Sequence, residues 1–219
     1  MRTAVVAKVK DEALVRARRR QIVDAAVHVF LEKSYHVATV GDVAARVGIS
    51  QGAMYTYVRS KDDILYMICD ETVDAHFEAV ERALQGVRDP EARLKAAIAG
   101  LVESIWATRR STLVVYREAH DLLPQSIKAL LAKSARFTAL FEEMLQDLGR
   151  FEASESRMVV ANIVTYLPTV IANRAWYVRD RVPRERFVAE ITSFLLRGLG
   201  LADAVVPMPA RRERRGGKA

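Results

Sequence analysis

Residues 39–65, TVGDVAARVGISQGAMYTYVRSKDDIL, contain side chains whose types and spacing suit recognition of a nucleic acid. Gln51 can pair with the edge of an adenine through two hydrogen bonds. Thr56 and Tyr57 carry hydroxyl groups that can donate hydrogen bonds to phosphate oxygens. This combination predicts a surface that contacts both the bases and the backbone of DNA.

Three neighbouring residues add to this interpretation. Ala53 and Tyr55 can contact thymine methyl groups. Gly52 costs about 1 kcal/mol of helix stability relative to alanine, a cost that close approach of the backbone to a groove would explain. The alternative interpretation is an ordinary polar face on a three-helix core.

Two short helices must position these side chains. The first helix is predicted to begin after Thr39, an N-cap to which Asp42 reaches back as in a capping box. Gly48 supplies the positive φ that ends it, and Ser50 caps the second helix. The apolar residues of the first helix follow a helical period of i, i+3, i+4 and i+7, namely Val40, Val43, Ala44 and Val47. A pair of helices joined so closely must cross at a steep angle, which is the helix-turn-helix layout.

The segments RRQIVDAAVHVF, DVAARVGIS, GAMYTYV and SKDDIL resemble the DNA-binding signature of TetR-family transcriptional regulators, and together they cover residues 19–65. One position departs from that signature: Gly41 stands where some relatives have an arginine that reads a base. Specificity should therefore depend more on the second helix. The resemblance implies that the DNA contacts come from eight residues: Thr39, Gln51, Gly52, Ala53, Tyr55, Thr56, Tyr57 and Lys61.

The composition fits one or two compact, mainly helical domains, with 219 residues, 51% of them hydrophobic, and only 10 glycines and 6 prolines. The formal net charge of +7 is concentrated at the two ends of the chain. Residues 1–10 and 203–219 are predicted to be basic flexible tails, which serve either to bind DNA or only to solubilise the ends. The run RARRR at residues 16–20 is predicted to lie along phosphates.

Helical periodicity without any β pattern predicts an all-α fold. The resemblance implies about nine helices, arranged as a helix-turn-helix DNA-binding domain of three helices at residues 11–60 and a helical ligand-binding and dimerisation domain at residues 61–202. Helices are predicted at residues 11–33, 61–85, 90–108, 113–121, 124–148, 157–177 and 184–199, besides the two short ones.

A homodimer is expected because one recognition helix reads only a few base pairs, whereas a two-fold dimer reads a palindrome. The resemblance implies that the last two helices of each subunit pair into a four-helix bundle. Phe194 and Leu195 are expected in that seam. The preceding helix is apolar on more than one face, through Met158, Val159, Ile163, Val164, Leu167, Val170 and Ile171. The alternative is that this helix is buried inside the monomer.

The resemblance also implies a small-molecule effector held among the helices between about residues 90 and 180. Polar and aromatic residues within apolar stripes are candidates for the pocket, although each could equally be a core residue. Pro168 is expected to kink the helix that carries several of them. The candidates are Trp106, Arg109, Tyr116, His120, Phe137, Phe141, Asn162, Tyr166, Arg174 and Tyr177.

Residues 172–199 are similar to the TetR subgroup that responds to acyl-CoA thioesters, through Trp176, Tyr177, Arg179 and Arg181. An acyl-CoA needs an apolar slot and cations for its phosphates, which Arg109, Arg110, Arg174 and Arg179 could provide. The leading hypothesis is a repressor that binds a palindromic operator and is released from it by such an effector. The effector would act by moving the predicted helix at residues 61–85, which adjoins the DNA-binding domain. A regulator of an efflux or drug-resistance gene that senses a hydrophobic or aromatic compound is the alternative.

Other function classes are not expected. The chain has no GxSxG, HExxH or glycine-rich phosphate loop, and its four histidines lack ligand spacing to a cysteine or a carboxylate pair. We therefore expect no catalysis, no metal site and no cofactor besides the effector. A single cysteine, Cys69, and the lack of a leader or of an 18-residue apolar run predict a cytoplasmic protein without a membrane partner. An architectural protein that binds DNA through its basic tails remains a distant alternative.

Overall fold

The computed structural model describes residues 2–178 and 181–201, with side chains from Leu14 onward. Within these residues the chain is helical and contains no strand, which confirms the all-α prediction. Short 3-10 turns lie at Ala119–Asp121 and Leu167–Thr169. The helices are α1 Arg2–Lys33, α2 Val40–Val47, α3 Gln51–Met54, α4 Lys61–Leu84, α5 Pro90–Ala107, α6 Arg109–Glu118, α7 Pro124–Asp147, α8 Ser154–Tyr166, α9 Val170–Val178 and α10 Arg184–Gly198.

The 3-10 turn at Leu167–Thr169 contains Pro168 and joins α8 to α9. Proline cannot donate the backbone hydrogen bond that an uninterrupted α-helix needs at this position, so the predicted kink forms here. Counting α8 and α9 as one bent helix gives nine helices in the described residues. No helix in this part of the chain combines the length and the apolar character that crossing a membrane requires.

Helix α1 includes residues 2–10, for which the sequence predicted a flexible tail. No glycine or proline occurs anywhere in residues 2–33, so nothing in the local sequence interrupts the helix. The second predicted tail, at residues 203–219, lies outside the described residues.

We call α1–α3 the head and α4–α10 the body. The head's apolar core contains Ile22, Phe30, Val43 and Met54, but it does not end at the predicted domain boundary of residue 60. It continues into the first half of α4 and into parts of α6 and α7, so the head and the body share one core. Cys69 lies in this core, and burial raises the pKa of its thiol to about 12, which keeps it neutral.

A second apolar core lies within the body, between the later half of α4 and α5, α7, α8, α9 and α10. Helices α4 and α5 approach closely because Gly100 has no side chain. A Cβ atom there would lie 2.9 Å from the Cβ of Ala83 and 3.0 Å from the carbonyl oxygen of Ala79. Glycine is therefore required by packing at this position.

Polar contacts fasten α4 to α7. The carboxylate of Asp62, in the first turn of α4, accepts hydrogen bonds from the backbone N–H of Leu123 at 2.8 Å and from Ser126 Oγ at 3.2 Å. Further along, Lys133 Nζ pairs with Asp70 and with Asp74. Burial alone would lower the pKa of Lys133, but the hydrogen bonds to both carboxylates outweigh it and raise this pKa. These contacts tie α4 to α7 at two places along its length.

Candidate DNA-binding surface and effector region

Local side-chain contacts set the start of α2. The backbone N–H of Asp42 donates to Thr39 Oγ1 at 3.1 Å, and that of Thr39 donates to Asp42 Oδ2 at 2.9 Å, so the predicted capping box is present. Lys33 Nζ lies 2.6 Å from Asp42 Oδ1. This hydrogen bond, together with those from Thr39, lowers the pKa of Asp42 to about 2. The carboxylate therefore stays charged and holds α2 against the end of α1.

The turn between α2 and α3 also has the predicted geometry. Gly48 has a φ of 81°, in the left-handed region that favours glycine, and its N–H bonds back to the last turn of α2. Ser50 Oγ accepts a hydrogen bond of 3.1 Å from the N–H of Ala53, which caps α3. Met54 and Val58 are buried in the core of the head. These two anchors turn the remainder of α3 and of the segment after it outward.

Seven of the eight predicted DNA contacts are solvent-exposed in the described structure. Gly52 has open space around it, since a Cβ there would meet only Ser50 Oγ at 3.9 Å. No contact within the described residues therefore requires glycine at this position. Thr56 already donates its one hydroxyl hydrogen to the carbonyl oxygen of Ala53 at 2.7 Å, so the predicted hydrogen bond to a phosphate would have to replace this one. The seven residues are Thr39, Gln51, Gly52, Ala53, Tyr55, Thr56 and Tyr57.

Lys61 differs from the other seven. Its Nζ donates to the carbonyl oxygens of Tyr35 at 2.7 Å and of His36 at 3.0 Å, and it lies 4.5 Å from the centroid of the Tyr35 ring. The amine thus fastens the loop after α1 to the first residue of α4. A phosphate contact from Lys61 would have to share the amine with these two carbonyls, so the structure gives Lys61 a role that the sequence did not predict.

The predicted effector residues do not converge on one cavity in the described structure. Trp106 stacks against Phe187 at a centroid distance of 5.1 Å, and Arg109 lies 5.5 Å from the Trp106 ring. Tyr116 meets Tyr166 edge to face at 5.6 Å. The Trp106 group packs against the body core, where Phe187 is buried, and it is separate from the Tyr116–Tyr166 pair.

The aromatic residues of α7 form a third group. Phe137 and Phe141 are buried in the body core, where Phe137 packs on Phe77 at 4.8 Å. Both residues fill the core, which is the alternative to a pocket role that the sequence left open.

Three polar candidates lie elsewhere than predicted. Arg174 was predicted to line the effector pocket, but it is exposed on α9. Asn162 is also exposed, and its side-chain amide donates to the carbonyl oxygen of Met158 one turn earlier on α8. His120 lies at the junction of head and body, where its Nε2 is 3.6 Å from Asp121 Oδ2. Tyr177 is exposed beside Trp176 and Arg181, while Arg179 lies outside the described residues.

A cleft of about 880 Å³ lies between α1, α4 and the junction of α5 and α6. Arg109 and Arg110 line it at the start of α6, and Arg110 contacts His28 of α1 at 3.0 Å. Arginines of residues 16–20 line the same cleft, although the sequence predicted that this run lies along phosphates. Carboxylates of α4 also line the cleft, and burial raises the pKa of one of them, Glu71.

Two family models match this chain. Residues 22–66 match the bacterial regulatory proteins of the tetR family, and residues 87–199 match the tetracyclin repressor-like C-terminal domain. The chain belongs to the TetR family. It is therefore a ligand-responsive, DNA-binding transcriptional regulator, and the resemblance on which the sequence prediction relied is confirmed.

Named relatives of the TetR family align over most of the chain. The HTH-type transcriptional regulator HbdR of Aromatoleum sp. (strain CIB) is 25% identical over 85% of this chain and 82% of its own length. The HTH-type transcriptional activator FasR of Mycolicibacterium smegmatis (strain ATCC 700084 / mc(2)155) is 27% identical over 83% of each chain. The solved structure of AibR in complex with isovaleryl coenzyme A and operator DNA has a TM-score of 0.66 at 18% identity and covers 81% of this chain and 97% of that one. At this sequence identity, the likeness shows only that the two chains share a fold.

Helices α8–α10 of this TetR-family chain expose several large apolar side chains in the described single subunit. Met158, Val159, Ile163, Val170 and Phe194 are exposed together with Tyr166. Three residues expected in a subunit seam lie inside the monomer instead. Val164, Ile171 and Leu195 are buried in the body core, because each faces α5 or α7 on the opposite side of its helix.

Sequence reasoning missed a group of possible metal ligands at the junction of head and body. His36, Glu118 and Asp121 each offer a ligand atom within 4.8 Å of the others. The four histidines showed no ligand spacing along the chain, and only the packing of the head against α6 brings His36 to this place. No local pattern could have predicted this group.

Proposed function

We propose that this TetR-family regulator is a homodimeric repressor that leaves a palindromic operator when an acyl-CoA thioester binds to its body. The observation that carries the DNA part is the exposed face of α3. Buried Met54 at the end of α3 and buried Val58 just after it anchor this segment, while Gln51 in α3 and Tyr57 in the turn that follows remain exposed toward a major groove. In this proposal the protein acts in the cytoplasm and has no catalytic role.

The apolar surface of α8–α10 supports the homodimer. Exposed apolar patches of this kind on a soluble chain mark interaction sites. A two-fold pairing through α8–α10 would cover Met158, Ile163 and Phe194 and would place two heads on one face of the dimer. The two α3 helices could then reach successive major grooves, about 34–36 Å apart.

The arginines of the cleft support a phosphate-bearing effector. Arg109, which lies over the Trp106 ring, and Arg110, which contacts His28, both line the cleft, and guanidinium groups bind phosphates in a bidentate manner. The cleft volume of about 880 Å³ is in the range of small-molecule sites. AibR, which has the same fold, was solved with isovaleryl coenzyme A. Because carboxylates also line the cleft, a thioester would compete with them for the arginines.

Helix α4 is the proposed route from effector to DNA. Its first residue, Lys61, is bonded to the loop of the head, and its carboxylates Asp62 and Asp70 are bonded to α7. An effector in the cleft would contact α4 directly, and a shift of α4 would change the spacing of the two heads. By linkage, DNA must weaken effector binding by the factor by which the effector weakens DNA binding.

The experiment measures operator binding by fluorescence anisotropy with a panel of acyl-CoA thioesters, the matching free acids, coenzyme A alone and aromatic compounds. We expect release of DNA by thioesters of one chain-length class and weaker thioester binding in the presence of operator. Equal thioester affinity for free and operator-bound protein would contradict the mechanism. Release by an aromatic compound alone would show that the effector is an aromatic compound and not an acyl-CoA thioester. A reporter gene behind the operator would show whether the protein represses or activates transcription. The relative FasR is named as an activator.

A further inference from the structure

Three side chains that can bind a metal, His36, Glu118 and Asp121, meet where the loop after α1 contacts the end of α6, and a fourth, His120, lies beside Asp121. His36 belongs to that loop, while Glu118, His120 and Asp121 lie at the end of α6 and in the 3-10 turn that follows. The Nε2 atoms of His36 and His120 lie 3.3 Å and 3.6 Å from Asp121 Oδ2. A ligand atom of Glu118 lies within 4.8 Å of those of His36 and Asp121.

The ion pairs of the two carboxylates with neighbouring residues are long. Asp121 Oδ2 is buried and takes part in no hydrogen bond, although two histidine nitrogens are near it. The side chain of Glu118 is only 8% exposed, and its ion pair with Arg117 Nε is 3.7 Å long, beyond hydrogen-bond distance. Carboxylates that are mostly buried and have only long ion pairs are weakly compensated, so this arrangement favours a cation between the two acids.

The donor set indicates the class of cation. Imidazole nitrogens together with carboxylate oxygens suit Zn²⁺ and similar transition metals, whereas Mg²⁺ and Ca²⁺ take oxygen ligands. Tetrahedral zinc with bonds of about 2.0–2.1 Å places its ligand atoms roughly 3.3 Å apart, which is close to both histidine-to-aspartate distances. The His36 and His120 side chains are 69% and 71% exposed, so both rings are free to adjust around an ion.

We propose that His36, Glu118, His120 and Asp121 bind one Zn²⁺-class ion that joins the head to the body. The backbone of His36 is already held by Lys61, and the loop that contains His36 leads directly into α2. A bound ion would fix this loop against the end of α6 and so restrain the orientation of the DNA-binding helices. The site is separate from the proposed effector cleft and does not depend on the identity of the effector.

The test uses the full-length protein without an affinity tag, so that no added histidines bind metal. We expect one Co²⁺ per chain with visible absorption bands, and displacement of Co²⁺ by Zn²⁺. His36→Ala and His120→Ala should each weaken Zn²⁺ binding at least about tenfold. Because both side chains are exposed, these replacements should leave the fold intact, which circular dichroism checks. The matched control is His28→Ala, since His28 lies on α1 and contacts Arg110 outside the cluster.

A second measurement tests the bridge between head and body. Zn²⁺ should raise the midpoint of thermal unfolding of the wild type and of His28→Ala, but not of His36→Ala. Glu118→Gln should also lose the Zn²⁺ effect while keeping its helical circular dichroism. The proposal is overturned if the wild type binds no Co²⁺ or Zn²⁺, or if His36→Ala binds Zn²⁺ as tightly as the wild type. It is equally overturned if His28→Ala weakens binding as much as His36→Ala does.

Discussion

Gln51 lies against Gly41, with its Oε1 atom 3.4 Å from the position that a Cβ on Gly41 would occupy. A Cβ at that distance would be in ordinary van der Waals contact with the glutamine, so the first residue of α3 lies close to the first turn of α2. Gly41 is the position at which the chain departs from the TetR signature, and it leaves room there for the exposed side chain of Gln51.

The first prediction separates base reading from backbone contact. Gln51→Ala should relax the base preference at one position of each half-site, because a bidentate pair discriminates by about 1–3 kcal/mol. Tyr57→Phe removes only a hydroxyl and should weaken binding to all sequences by a similar factor, since a phosphate contact is not specific. Competition binding with a set of single-base operator variants measures both effects. If both variants changed base preference alike, the outward face of α3 would be wrongly assigned.

The second prediction concerns Gly52. A Cβ at this position meets open space in the described structure, so Gly52→Ala should stabilise the free protein by about 1 kcal/mol. The same methyl group should weaken operator binding if the backbone approaches a groove closely. Urea unfolding and operator anisotropy measure the two effects. Greater stability with unchanged DNA affinity would show that the backbone at Gly52 does not approach the DNA.

Gly100→Ala is the matched control for that substitution. Both glycines are helical, but a Cβ on Gly100 would lie 2.9 Å from the Cβ of Ala83. This variant should therefore destabilise the protein by about 1–3 kcal/mol through overpacking between α4 and α5. An increase in stability for both variants would mean that α4 and α5 are not so closely packed.

The helix-turn-helix could be predicted from sequence because its determinants are local. Thr39 and Asp42 form their capping box over three residues, and Ser50 reaches the N–H of Ala53 over the same distance. Gly48 needs its positive φ for the turn itself. Each of these contacts joins residues that are close neighbours along the chain. The local sequence was therefore enough to predict the two short helices and the turn between them.

The contacts of Lys61 and His36 could not be predicted in this way. Lys61 Nζ finds its acceptors at residues 35 and 36, and His36 lies beside Asp121, far along the chain. Such contacts depend on how the head packs against the body. Arg174 shows the same limit, because the turn at Pro168 decides which face of α9 is exposed. Helical spacing indicates which residues share a face, but it does not show what that face meets.

The third prediction distinguishes two adjacent residues of α10. Phe194 is 62% exposed in the single chain, whereas Leu195 is 4% exposed in the body core. Phe194→Asp should leave the fold intact and dissociate the dimer, because an unpaired charge in an apolar seam is costly. Leu195→Asp should instead unfold the body. Sedimentation and circular dichroism separate the two outcomes, and a folded, dimeric Phe194→Asp variant would place the subunit interface away from α10.

The last prediction concerns the pH dependence of stability. His76 is buried on α4, its Nδ1 has no hydrogen-bond partner, and burial lowers its pKa to about 4. In the unfolded chain the same group has a pKa of about 6.5, so between these two values the unfolded state binds a proton that the folded state does not. Stability from this group is therefore complete above pH 6.5 and is lost as the pH falls toward 4. The loss should be about 2 kcal/mol between pH 8 and pH 5, because one pKa unit corresponds to about 1.4 kcal/mol.

His76→Leu tests this assignment, because it removes the titrating group and keeps an apolar side chain beside Phe137, whose ring lies 6.2 Å from that of His76. Urea unfolding at pH 8 and pH 5 should show a smaller difference in unfolding free energy for this variant than for the wild type, by about 2 kcal/mol. Phe137→Leu is the control, since it disturbs the same packing without removing a titrating group. It should destabilise the protein equally at both pH values. If His76→Leu retained the full pH difference of the wild type, the acid sensitivity would belong to other groups, and His76 would be protonated in the folded chain.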